Sequence, residues 1–156
     1  MSPDEIILLK ILKELKKVKL EAILVGNVAC ALQGVPVMTY DIDFFVRDTN
    51  INRKKINLFA KNLNMQILKI NDELSETIRT ENKEMVVDFV FRLGHNQTFE
   101  KVRAKSIKLK IGNFYVNVAS LNDILISKKE ANRPKDKAIL KLIEDTIKIK
   151  NELNKK

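Results

Sequence analysis

Residues 39–46 read Thr-Tyr-Asp-Ile-Asp-Phe-Phe-Val. The aromatic and β-branched residues suit a buried strand, yet two acids stand among them. Side chains alternate across a strand, so Asp41 and Asp43 share one face and Ile42 and Phe44 the other. An ionised carboxylate in apolar surroundings is costly unless something pairs with it. Two carboxylates side by side repel unless a cation lies between them. Magnesium suits such a place, because it needs only one or two carboxylates plus substrate phosphates.

A third acid, Asp88, stands inside the apolar run Val86-Val87-Asp88-Phe89-Val90. With that strand beside Asp41–Val46, three carboxylates converge. Such a set can hold two metal ions that clamp the attacking and leaving oxygens of a nucleotidyl transfer. Plainer pairings are open too. Asp43 can meet Arg47 or Arg92, Asp88 can meet Arg92, and Asp41 can cap a turn.

Upstream, Leu24-Val25-Gly26-Asn27 reads as a strand running into a glycine and a helix. Glycine there lets a phosphate approach the backbone closely. An ordinary strand-to-helix turn has the same pattern. Downstream, Leu121, Ile124 and Leu125 mark the buried stripe of a helix. Lys128 falls near that stripe, so it must snorkel or meet an anion. Lys129, Arg133 and Lys135 read as solvated.

The remaining elements follow from periodicity and punctuation. Ser2-Pro3-Asp4-Glu5 starts a helix, with a cap, a first-turn proline and a capping box. Apolar residues continue it to Val18. Ala22–Val25 is a strand, 27–33 a helix closed by Gly34, and Asp41–Val46 a strand. Asn50 is expected to cap a helix to about Asn64 that carries Ile51, Lys55, Leu58, Phe59 and Leu63. Met65–Ile70, Glu76–Thr80 and Met85–Phe91 are strands. Ile107–Ile111 and Phe114–Ala119 form a hairpin about Gly112-Asn113. Leu121–Asn132 is helical, and Pro134 opens a last helix. This order predicts an α/β (α+β) domain around a mixed sheet, spanning 1–156.

Residues 101–156 hold 15 Lys and Arg against 6 Asp and Glu, which accounts for the whole net charge of +9. Such a segment can attract a nucleoside triphosphate or RNA, and it also fits a solvated Lys-rich surface. The sequence shows no membrane span and no signal-peptide pattern. The single cysteine, Cys30, excludes an internal disulfide and fits a cytoplasmic location. Cys30 lies in an apolar helix and reads as packed. With His95 as the only histidine, a zinc site is not expected, and His95 is read as an exposed loop residue.

Together, Val25-Gly26-Asn27, Asp41-Ile42-Asp43 and Asp88 resemble the nucleotidyltransferase-like superfamily, the DNA polymerase β-type catalytic core. The segment VGNVACALQGVPVMTYDIDFFV is similar to small bacterial and archaeal members, including the abortive-infection toxin-like branch. LNDILISKKEANRPKD resembles the same group's later helix junction. The resemblance covers about residues 5–145. It implies a mixed sheet flanked by helices and transfer of a nucleoside monophosphate from a nucleoside triphosphate to an acceptor hydroxyl. It implies that Asp41, Asp43 and Asp88 bind Mg²⁺ or Mn²⁺, with Asp88 also activating the acceptor. Gly26 and Asn27 would sit at the triphosphate, and Lys128 would contact phosphate. The acceptor would be RNA (tRNA included), a protein or a small molecule. A toxin–antitoxin partner or a homodimer is the implied protein contact, with no membrane.

The chain departs from the pattern in three ways. Asn27 replaces Gly or Ser, Val37 or Met38 stands where a basic residue is frequent, and no second domain follows to close over the nucleotide. These departures admit a second reading, a catalytically inactive antitoxin-like or regulatory partner. A third is an RNA-binding module acting through residues 101–156.

Overall fold

A computed structural model describes residues 2–71 and 76–155, and the side chains of Ile70 and Asn71 are left aside. In chain order the elements are α1 (Pro3–Lys17), β1 (Ile23–Val25), α2 (Gly26–Leu32), β2 (Asp41–Phe45), α3 (Asn50–Asn62), β3 (Gln66–Asn71), β4 (Glu76–Glu81) and β5 (Val86–Val90). They continue with α4 (Phe99–Lys105), β6 (Ile107–Ile111), β7 (Phe114–Val118), α5 (Leu121–Ala131), a 3₁₀ turn (Pro134–Asp136) and α6 (Lys137–Asn154).

The strands form one sheet of order β3-β4-β5-β2-β1-β7-β6. The pairs β2–β5 and β1–β7 are parallel, and the other neighbours are antiparallel. This is the mixed sheet flanked by helices that the sequence predicts. Alternation along β2 holds as expected, since Ile42 and Phe44 are buried while Asp41 and Asp43 are only half-buried. On the apolar face Phe44 stacks on Phe89 at 6.1 Å, and Phe59 of α3 meets Phe89 edge-on at 5.2 Å. Helix α3 therefore covers the side of the sheet away from the carboxylates.

Local signals work as physics requires. The Ser2 hydroxyl accepts the amide of Glu5, and Leu8, Ile11, Leu12 and Leu15 bury the inner stripe of α1. Gly112 turns the β6–β7 hairpin at φ 59°. Asn132 ends α5 in the left-handed region at φ 49°.

Helix α3 corrects one expectation. Its cap is Thr49, whose hydroxyl accepts the amide of Asn52, and not Asn50. The buried residues are Ile56, Phe59 and Ala60, while Ile51 and Leu58 are 66% and 47% exposed. Ile51 and Leu58 lie more than a quarter-turn off the stripe set by Ile56 and Phe59. Helix α4 was not anticipated. Thr98 caps it by accepting the amide of Lys101, and Phe99 and Val102 anchor it. Seven residues give too short a periodic run to stand out.

Phe89 joins two ring contacts at the centre of the core. Replacement by Ala is expected to cost about 3–5 kcal/mol, read as a lower midpoint in urea unfolding. A loss below about 1 kcal/mol would show that the core does not depend on this ring.

Candidate active site

Parallel pairing of β2 with β5 sets Asp43 directly beside Asp88. Alternation places Asp41 on the same face, two residues along. The strand predicted to carry the third acid thus lies next to the first two. Asp88 is buried, with its side chain 9% exposed, whereas that of Asp41 is 51% exposed.

A cleft of about 260 Å³ opens on this face. Its floor holds Asp43 and Asp88, and its far wall is α5 with the turn into α6, including Ile124, Lys128 and Arg133. Gly26 lines it from the end of β1. A Cβ on Gly26 would lie 2.2 Å from Asp43 Oδ2, and the residue sits at φ +70°. Only glycine satisfies both conditions without moving the carboxylate.

The plainer pairings are not the ones formed. Arg47 is taken by Glu21 at 3.2 Å and Glu100 at 2.7 Å. Asp88 is met by Arg79 across the β4–β5 ladder, where the two residues are register partners. Arg79 Nε donates to Asp88 Oδ1 at 2.9 Å and Nη2 donates to Oδ2 at 3.0 Å. The same Nη2 lies 3.7 Å from Asp41 Oδ2. Such two-pronged, charge-assisted contacts are the strong kind. The hairpin arithmetic that places residue 79 opposite residue 88 was available in the sequence, once both strands and the short turn between them are accepted.

The Asp43 carboxylate has no hydrogen bond or ion pair among the described residues. Burial, then the neighbouring Asp88 and Asp41, push its carboxyl up to about 7, against smaller opposite effects of Lys128 and Arg79. The cleft floor is therefore short of positive charge at Asp43. Carboxylate oxygens are the donors a hard divalent cation takes, so Asp41 and Asp43 are the residues that could hold one. Among the described residues, no three acidic, His or Cys side chains are grouped as a ready metal cage.

Lys128 lies in the wall as its helical position predicts, with a side chain 15% exposed. It meets the buried Asp136 at 3.4 Å. Asn27 stands outside the cleft lining, and its Oδ1 is buried without a hydrogen-bond partner. His95 is exposed, as expected, and borders the cleft. Cys30 is fully buried, and burial pushes its thiol up to about 11, so it is a packing residue. Sequence reasoning missed Arg79 and the wall position of Arg133. It had Arg92 only as an ion-pair partner, whereas Arg92 borders the cleft.

Comparison with solved structures shows a nucleotidyltransferase fold. The antibiotic-resistance factor ANT(2″)-Ia, in complex with adenylyl-2″-tobramycin, is 15% identical with a TM-score of 0.65, covering 94% of this chain and 90% of its own. The lincosamide antibiotic adenylyltransferase LnuA, bound to lincomycin, is 13% identical with a TM-score of 0.65, covering 94% and 98%. A Thermotoga maritima protein assigned to the nucleotidyltransferases is 18% identical with a TM-score of 0.58, covering 96% and 92%. No family model matches the chain, and no curated protein matches it. No helix of the described residues is long and apolar enough to cross a membrane.

The state of Asp43 carries a stability signature. Its folded value lies above the ordinary 3.8, so between about pH 4 and 7 the folded chain binds the extra proton. Stability then falls as pH rises through that window, and the full cost of the buried charge stands above about pH 7. Asp43→Asn is expected to raise the melting temperature at pH 8, by on the order of 1–3 kcal/mol of stability, and to change little at pH 4. An Asn variant with the wild-type pH slope would refute this account of Asp43.

Proposed function

We propose that this chain is a nucleotidyltransferase that moves a nucleoside monophosphate from a nucleoside triphosphate to an acceptor hydroxyl. The observation that carries the reading is the uncompensated Asp43 set beside Asp88 at the floor of a cleft, in a sheet arranged as in nucleotidyltransferases. The likeness to ANT(2″)-Ia, which is seen with adenylyl-2″-tobramycin, and to the lincosamide antibiotic adenylyltransferase LnuA supports it.

In this reading Asp41 and Asp43 hold Mg²⁺ or Mn²⁺, which supplies charge neutralisation on the phosphates when bound. Gly26 leaves room for phosphate against the backbone at the end of β1. Asn27 follows it, outside the cleft lining. Lys128, and Arg92 at the cleft border, face the triphosphate as cations. The acceptor hydroxyl donates to a lone pair of Asp88 that the Arg79 fork leaves free, and Asp88 draws off the proton as the oxygen bonds to the α-phosphorus. The bond from that phosphorus to the bridging oxygen breaks, and pyrophosphate leaves. Catalysis is then mostly positioning and electrostatic stabilisation, the usual balance in phosphoryl chemistry.

The acceptor is RNA, a protein or a small molecule in this proposal. Nucleoside triphosphate with Mg²⁺ is expected to raise the melting temperature by several degrees, and Asp43→Asn to abolish that rise. Incubation with each α-labelled nucleoside triphosphate, Mg²⁺ or Mn²⁺ and cellular RNA should transfer label. Absence of any nucleotide-dependent shift with either metal would refute the enzyme.

A further inference from the structure

We infer that Arg79 supplies one of the positive charges of this active site, so that the chain binds a single divalent ion where its three carboxylates suggest two. The inference rests on the nucleotidyltransferase reading and refines its chemistry. Both oxygens of Asp88 are engaged by the Arg79 fork, at 2.9 and 3.0 Å. The pair is not a chance surface contact. Asp88 is buried, and the two residues are fixed opposite each other by an antiparallel ladder running from Thr77–Val90 to Glu81–Val86.

A metal ion that took Asp88 as a ligand would have to share its oxygens with that fork. It would also set a divalent cation directly beside the guanidinium, at a cost that two like charges in a partly buried site make large. Charge balance agrees. With Lys128 offset by the buried Asp136, three carboxylates against the Arg79 guanidinium leave two negative charges before nucleotide binds, which one divalent ion neutralises. The guanidinium reaches past Asp88 toward Asp41, with Nη2 at 3.7 Å from its carboxylate, so it bridges the outer acids while Asp43 is left bare. Asp43 with Asp41 would then hold the metal, and Arg79, which lines the cleft, would supply the positive charge that a second ion would otherwise bring. Its remaining N–H groups are fixed donors for a phosphate oxygen, a role for which the planar fork suits Arg better than Lys. Asp88 acts on the metal only indirectly, as the anchor that orients Arg79.

The test counts bound Mn²⁺ by the loss of the free-ion paramagnetic signal, with each of the four α,β-methylene nucleoside triphosphates present. Wild type is expected to bind one Mn²⁺ per chain in its nucleotide complex. Arg79→Gln, which frees Asp88, is expected to bind two. Two ions in the wild type, or one in a folded Arg79→Gln variant, would overturn the role of Arg79. If Arg79→Gln does not fold, the wild-type count decides alone, with one ion supporting and two overturning. No nucleotide-dependent Mn²⁺ in the wild type would instead remove the nucleotidyltransferase reading itself, and with it this inference.

Discussion

The parallel pairing of β2 with β5 is the constraint on which the site depends. It sets two carboxylates side by side on one face while two phenylalanines stack on the other. The favourable face stabilises the unfavourable one. Burial of Phe44 and Phe89 beneath α3 contributes several kcal/mol, enough to hold an electrostatic arrangement that the acids alone would oppose. The candidate site and its electrostatic frustration are thus built on the same pair of strands.

The surrounding elements each relieve part of that frustration. Helix α5 brings Lys128 near Asp43, but the ammonium is shared with the buried Asp136. Strand β4 brings Arg79 to Asp88. Gly26 gives Asp43 the space to remain where it is. What is left over, an acid with no ion-pair partner among the described residues, is the part that the proposed cation and nucleotide would satisfy. Strain of this kind tends to gather at functional positions, where stability is given up for binding.

Much of this was legible in the residues. The alternation in TYDIDFFV fixed which side chains face together, and the capping pattern at Ser2 and the hairpin glycine at Gly112 behaved as their chemistry predicts. The lone acid in an apolar run identified the neighbouring strand. Other features were not local. Nothing in the immediate surroundings of Arg79 distinguishes it from a surface arginine, and its role depends on strand pairing. Asn50 outweighed Thr49 as a cap only because both are good capping residues one position apart. The exposed Ile51 and Leu58 misled because apolar residues on a helix need not belong to its buried stripe.

The Arg79–Asp88 fork also bears on how the chain reaches its fold. Strand side chains repeat with period two, so a slip of the β4–β5 hairpin by one residue would turn Arg79 to the opposite side of the sheet. Asp88 would then be buried beside Asp43 without its guanidinium partner. The arginine that pairs with Asp88 in the native register would therefore penalise the wrong pairing whether or not a ligand is present.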